Sequence, residues 1–157
     1  MPRFKTSKEV YESCERDACY KMQEHVDIVK IKHKVGLAFA DLEFVRPQML
    51  RLRKDTLQWS TVYKLHYDAF HQLCEAFIRF DRVKSEKHQC LFAYIIEQHP
   101  ELDLDWAFLE RIRTARNGIQ YYGTPSSYKE WNDIELQINL YINTVKKTVD
   151  DKLKNTA

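Results

Sequence analysis

The stretch from Val62 to Phe80 does most to limit what this 157-residue chain can become. Val62, Leu65, His66, Ala69, Phe70, Leu73, Phe77 and Phe80 recur at i, i+3, i+4 and i+7 over about five turns. Side chains at those offsets share one face of an α-helix, whereas a strand alternates every second residue. The spacing predicts the core helix of the molecule. His66 sits on its apolar stripe and reads as an interior histidine with satisfied nitrogens. With only three Gly and four Pro to punctuate the chain, long helices are favoured over a sheet with many tight turns.

Other helices are legible around this one. Thr6-Ser7-Lys8-Glu9 matches a capping box, and Val10, Tyr11, Cys14, Ala18, Met22, Val26 and Val29 keep helical spacing through about residue 34. Gly36 interrupts this pattern without ending it. Pro47 forces a break or kink and biases Arg46 away from helical geometry. Cys90, Leu91, Tyr94 and Ile95 mark a helix that stops before Pro100, with Lys84 and His88 expected in its opening turn. Asp103 or Asp105 caps the next helix, which Gly123-Thr124-Pro125 ends. Ser127-Tyr128-Lys129-Glu130 is a second capping box, and Trp131, Ile134, Ile138, Tyr141, Ile142, Val145 and Val149 follow it. No stretch reads as a convincing strand. The expected fold is all-α, an up-and-down bundle of about five helices in a single domain over 1–157.

Composition excludes some functions. No apolar run approaches the length that crosses a membrane, and no charged-then-apolar leader begins the chain, so the sequence reads as cytoplasmic with no membrane partner. The net charge of +2 is too mild to announce a nucleic-acid binder in bulk, so any such role rests on local clustering. Cys14, Cys19, Cys74 and Cys90 form no C-x-x-C pair and are expected as buried reduced thiols. His25 and His33 with Cys14 or Cys19 match no familiar zinc spacing, so neither metal nor cofactor is expected. Phosphate loops, dinucleotide fingerprints and nucleophile elbows are missing as well.

Local clustering occurs between Arg111 and Gly123. Phe108, Leu109, Ile112, Ala115 and Ile119 form an apolar stripe, and Arg113, Arg116, Asn117, Gln120 and Tyr121 form a polar stripe beside it. That polar stripe holds guanidiniums, amides and a phenol with no acid among them. Guanidiniums and amides are planar multi-donor groups suited to phosphate oxygens and base edges. Arg46, Arg51, Arg53 and Lys54 form a weaker basic cluster that reads as a solvated connection.

Arg116-Asn117-x-x-x-Tyr121, followed by Tyr122-Gly123, resembles the signature region of the HEPN superfamily of small helical domains. The ribonuclease motif of that family is Arg, four to six residues, then His. Arg116 matches the Arg, Asn117 matches the polar residue that often follows it, and Tyr121 stands where the four-residue form has His. Tyr63 to Phe70 looks like the second-helix pattern of the family, and Lys84-Ser85-x-x-His88 looks like the start of its third helix. The resemblance covers residues 59–154, preceded by an N-terminal helical segment over 7–58. It implies a homodimer that brings the motif helices together on RNA or a nucleotide, in some members beside a small nucleotidyltransferase in toxin–antitoxin pairs. Carried over, Arg116 holds phosphate, Asn117 orients the substrate and Tyr121 replaces the His. Arg113, Gln120, Tyr122, Lys84 and His88 are candidate binding residues. The missing His puts cleavage in question, because a phenol with a pKa near 10 moves protons poorly at neutral pH. His88 is the nearest candidate for a displaced proton acceptor.

Overall fold

The structure, a computed structural model, describes residues 4–156. Helix makes up 75% of the described residues, so the all-α expectation holds in its main outline. Among the described residues there are six α-helices: α1 (Ser7–Arg16), α2 (Ile28–Met49), α3 (Gln58–Ile78), α4 (His88–Gln98), α5 (Trp106–Tyr121) and α6 (Tyr128–Asn155). No helix among the described residues is long and apolar enough to cross a membrane.

The predicted core helix is α3, and it is the hub. Helices α2, α4, α5 and α6 all pack against it. Its buried residues run almost all round the helix, from Trp59 through Tyr67 and Phe70 to Ile78. Burying one large apolar side chain contributes about 1.5–3 kcal/mol, so α3 supplies much of what holds the molecule together. Lys34 near the start of α2 reaches Glu75 near the end of α3, and Asp41 faces Asp68, so these two helices run antiparallel. Along α6 the order is reversed. Tyr63 and His66 meet Trp131, and Phe77 lies under Lys152, so α3 and α6 run in the same direction. The bundle therefore departs from the expected strict up-and-down order. The cause is the segment after α3, which doubles back through a 3₁₀ turn (Arg79–Asp81) before α4 begins beside Tyr67 and His71.

That return segment forms a strand the sequence did not reveal. β2 (Val83–Ser85) pairs antiparallel with β1 (Tyr20–Met22), with Lys21 opposite Lys84. Three-residue strands are too short to show a period of two. They also correct two expectations. The first helix ends at Arg16, not near residue 34, because Ala18 turns left-handed at φ 53° and its neighbours donate back to Cys14 and Glu15. Lys84 lies on β2, not in the opening turn of α4. Pro47 is tolerated within α2, which ends two residues later at Met49, and Arg46 stays helical.

The cysteine expectation is corrected in part. Cys14 of α1 and Cys90 of α4 form a disulfide, while Cys19 and Cys74 remain free and buried. Their separation of 76 residues hid the pair from any local spacing rule. The disulfide lies in a small apolar cluster with Val10, Cys19 and Ala93 that joins α1 to α4.

Candidate functional site

Helix α5 is placed by three local devices. The Asp105 carboxylate caps it by accepting from the Phe108 amide, and Phe108, Leu109 and Ile112 are buried. At its end Gly123 adopts φ 63°, a backbone state glycine enters without cost, and the Thr124 amide returns to the Gly118 carbonyl at 2.9 Å. A Cβ on Gly118 would stand 3.5 Å from the Thr124 Cβ, so this return is closely packed.

The polar stripe of α5 does not converge on one surface. Arg116 turns inward, where its Nε donates to Asp68 Oδ1 of α3 at 3.3 Å. Its Nη1 is buried without an acceptor. The guanidinium lies 5.8 Å from the ring centroids of both Tyr67 and Tyr121, between an interior phenol and an exposed one. Arg113 is held by Glu110 through two bonds of 3.1 and 2.8 Å, and Gln89 also donates to that carboxylate. Asn117 and Tyr122 instead line a hollow of about 420 Å³ with Thr124 and Ser126. Gln120 is exposed, and Lys84 lies on β2 outside this group.

What α5 meets on α3 and α4 escaped the sequence reading. Tyr67, Asp68, His71 and Glu75 recur at helical spacing and form a polar stripe set into the core helix. The His71 ring lies 3.7 Å from the ring of His88, centroid to centroid. His71 Nδ1 is 2.9 Å from Glu75 Oε1, and Lys34 of α2 pairs with the other Glu75 oxygen. Burial disfavours the Glu75 carboxylate, but hydrogen bonds and charge from His71 and Lys34 outweigh it and hold its pKa at about 2. The helical offset of these four residues was the available signal. The apolar stripe on the same helix is longer and more regular, and it masks that signal.

Of the sequence candidates, Arg116 reaches this cluster through Asp68 and His88 through Tyr67 and His71. Burial, then the charges of His71, Arg116 and Arg113, lower the His88 pKa to about 4, so the ring is neutral near pH 7. Its Nδ1 lies 3.0 Å from the Tyr67 hydroxyl. Burial also pushes the Tyr67 phenol well above its ordinary range, so that hydroxyl keeps its proton. With His88 in its Nε2–H tautomer the phenol donates to Nδ1, which occupies the lone pair of the ring. His71 differs, because Glu75 takes its Nδ1 side and leaves Nε2 for other partners. The expected interior role of His66 is borne out. It is 1% exposed, its Nδ1 is 2.8 Å from the Val62 carbonyl, and burial lowers its pKa to about 4.

A larger cleft of about 930 Å³ opens beside this cluster, on the side where Arg113 meets Glu110. Tyr63 of α3, Trp106 and Arg111 of α5, Glu130 of α6 and the segment before α1 line it. Among the described residues no group of His, Cys, Asp and Glu has the arrangement of a metal site. No protein-family model, characterised protein or solved structure matches the chain.

Proposed function

We propose that the chain is a HEPN-like helical domain that acts as a homodimer and binds RNA or a nucleotide through phosphate contacts on α5, with Arg116 as anchor. The observation that carries this reading is the under-used guanidinium. Arg116 spends one donor on one carboxylate at 3.3 Å, while its Nη1 has no acceptor. Arginine pairs best with oxyanions through two parallel bonds, and Asp68 leaves that capacity open. Tyr121, 67% exposed and adjacent to Arg116, offers a ring on which a base can stack. Exposed Leu37 and Phe44, seven residues apart on α2, leave apolar surface that suits a second copy.

A titration of single-stranded RNA followed by anisotropy tests this. Affinity is expected to fall with salt, and Arg116→Ala is expected to weaken binding by about ten- to a hundredfold. If Arg116→Ala raises only the dimer dissociation constant in sedimentation, the phosphate reading is wrong.

A second reading is metal-independent RNA cleavage, and the Glu75–His71 pair favours it. A carboxylate-oriented imidazole packed on His88, which feels the Arg116 charge, supplies the proton acceptor that the replaced motif His leaves missing. Single-turnover cleavage in chelator, lost in both His71→Gln and Arg116→Ala, is the expected result. Tyr121→His in the same assay measures how much an imidazole at the motif position adds. A small nucleotidyltransferase partner, implied by the family resemblance, is testable by co-purification with the cognate candidate.

A further inference from the structure

We infer that the cleft between α5, the start of α6 and the segment before α1 is a second ligand site, for a small flat ring bearing an anionic group. The walls decide the ring. Tyr63 and Trp106 line the cleft, and both are already oriented. The Trp106 indole Nε1 donates to the Lys5 carbonyl at 3.0 Å, which fixes the ring. Tyr63 packs edge-on against Trp131, 6.3 Å between centroids. Aromatic walls with few polar groups are what planar ligands use, and about 930 Å³ is within the range of small-molecule sites.

The unspent charges decide the anion. Both carboxylates of the cleft are engaged. Glu110 grips Arg113 and accepts from Gln89. The Glu130 carboxylate accepts from the hydroxyls of Ser126 and Ser127, and the Glu130 backbone N–H donates to Ser127 Oγ. Arg111 is different. Its ion pair with Asp133 is 3.9 Å long, beyond hydrogen-bond reach, and its side chain is half-exposed. Lys5 adds a second cation on the same rim. Lys5, Arg111 and Arg113 outnumber Glu110 and Glu130 in the lining, so the charge presented to a ligand is positive on balance. Burial and the Glu130 charge push the Tyr63 phenol up to about 12 against the opposing charge of Arg111, so cation and ring address the same space.

This site is independent of the Arg116 reading, and its test separates the two. Isothermal titration of the full chain uses four probes: a set of nucleoside monophosphates, the matching nucleosides, inorganic phosphate and indole-3-carboxylate. Saturable binding of a monophosphate or of the aryl carboxylate is expected, with the nucleosides and phosphate each weaker by about tenfold or more. Which of the two anionic probes binds more tightly assigns the ligand as phosphate or carboxylate. Arg111→Gln is expected to weaken the better probe by about tenfold, and Lys154→Gln, at the far end of α6, to leave it unchanged. Tryptophan emission gives a second readout, because Trp59 and Trp131 are buried and Trp106 is the tryptophan that lines the cleft. The inference is overturned if no probe saturates. It is equally overturned if Arg116→Ala removes binding while Arg111→Gln does not, an outcome that leaves the RNA reading intact.

Discussion

The two sides of α3 treat the same side chain in opposite ways. Toward α6, His66 is enclosed against Trp131, 4.3 Å between ring centroids, and bonded to its own helix backbone. Toward α4 and α5, His71 lies one and a half turns further on, yet it meets a carboxylate, a second imidazole and the vicinity of an arginine. Both rings are nearly covered, so burial alone does not distinguish structure from chemistry. The partners do. A histidine whose bond closes on a backbone carbonyl has no further business, whereas one oriented by Glu75 retains a nitrogen for an incoming group.

The largest expected effect lies on the silent side. Trp131→Ala should cost about 3–5 kcal/mol in urea unfolding, because it empties the space between Tyr63 and His66. Trp131→Phe should cost much less, since the indole N–H it removes is buried without an acceptor. A loss of equal size from both variants would mean that the indole itself, not its volume, holds α6.

On the polar side, Glu75→Gln should cost about 1–3 kcal/mol at pH 7 by leaving Lys34 and His71 short of a charge partner. The pH profile sharpens the point. With its folded pKa near 2 and an ordinary value of 4.5, Glu75 contributes stability that is complete above about pH 4.5 and fades as pH falls toward 2. Melts of Glu75→Gln over that window should therefore be flatter than those of the parent.

The smallest expected effect comes from His88. At pH 7 His88→Gln should shift stability by about 1 kcal/mol or less, because the ring is neutral and loses one hydrogen bond. Its signature is again a slope. The folded pKa near 4 lies below the ordinary 6.5, so the unfolded chain takes up a proton first and stability declines as pH drops from about 6.5 to 4. His66 contributes a second such decline. His88→Gln should leave only the His66 share, and an unchanged slope would show that the ring stays solvated.

Long amphipathic helices were the legible part of this fold. The eight-residue stripe after Thr61 marks α3, and Ser127 and Asp105 mark two helix starts as read. The sequence could not show the β1–β2 pair or the Cys14–Cys90 link, because each depends on residues more than sixty positions apart. Nor could it show which acceptors Arg113 and Arg116 choose. The polar stripe of α5 contains no acid, so its arginines looked free, yet Glu110 and Asp68 meet them from just before the stripe and from across the core.

The inward pairing of Arg116 has a thermodynamic consequence. A phosphate that binds only Nη1 adds a bond to an idle donor, whereas one that also takes Nε competes with Asp68 for it. Observed affinity in that second mode is a difference between two acceptors, and the displaced carboxylate is left facing the like charge of Asp41. Occupancy of both donors is thereby a trade, and its exchange rate is set from α3.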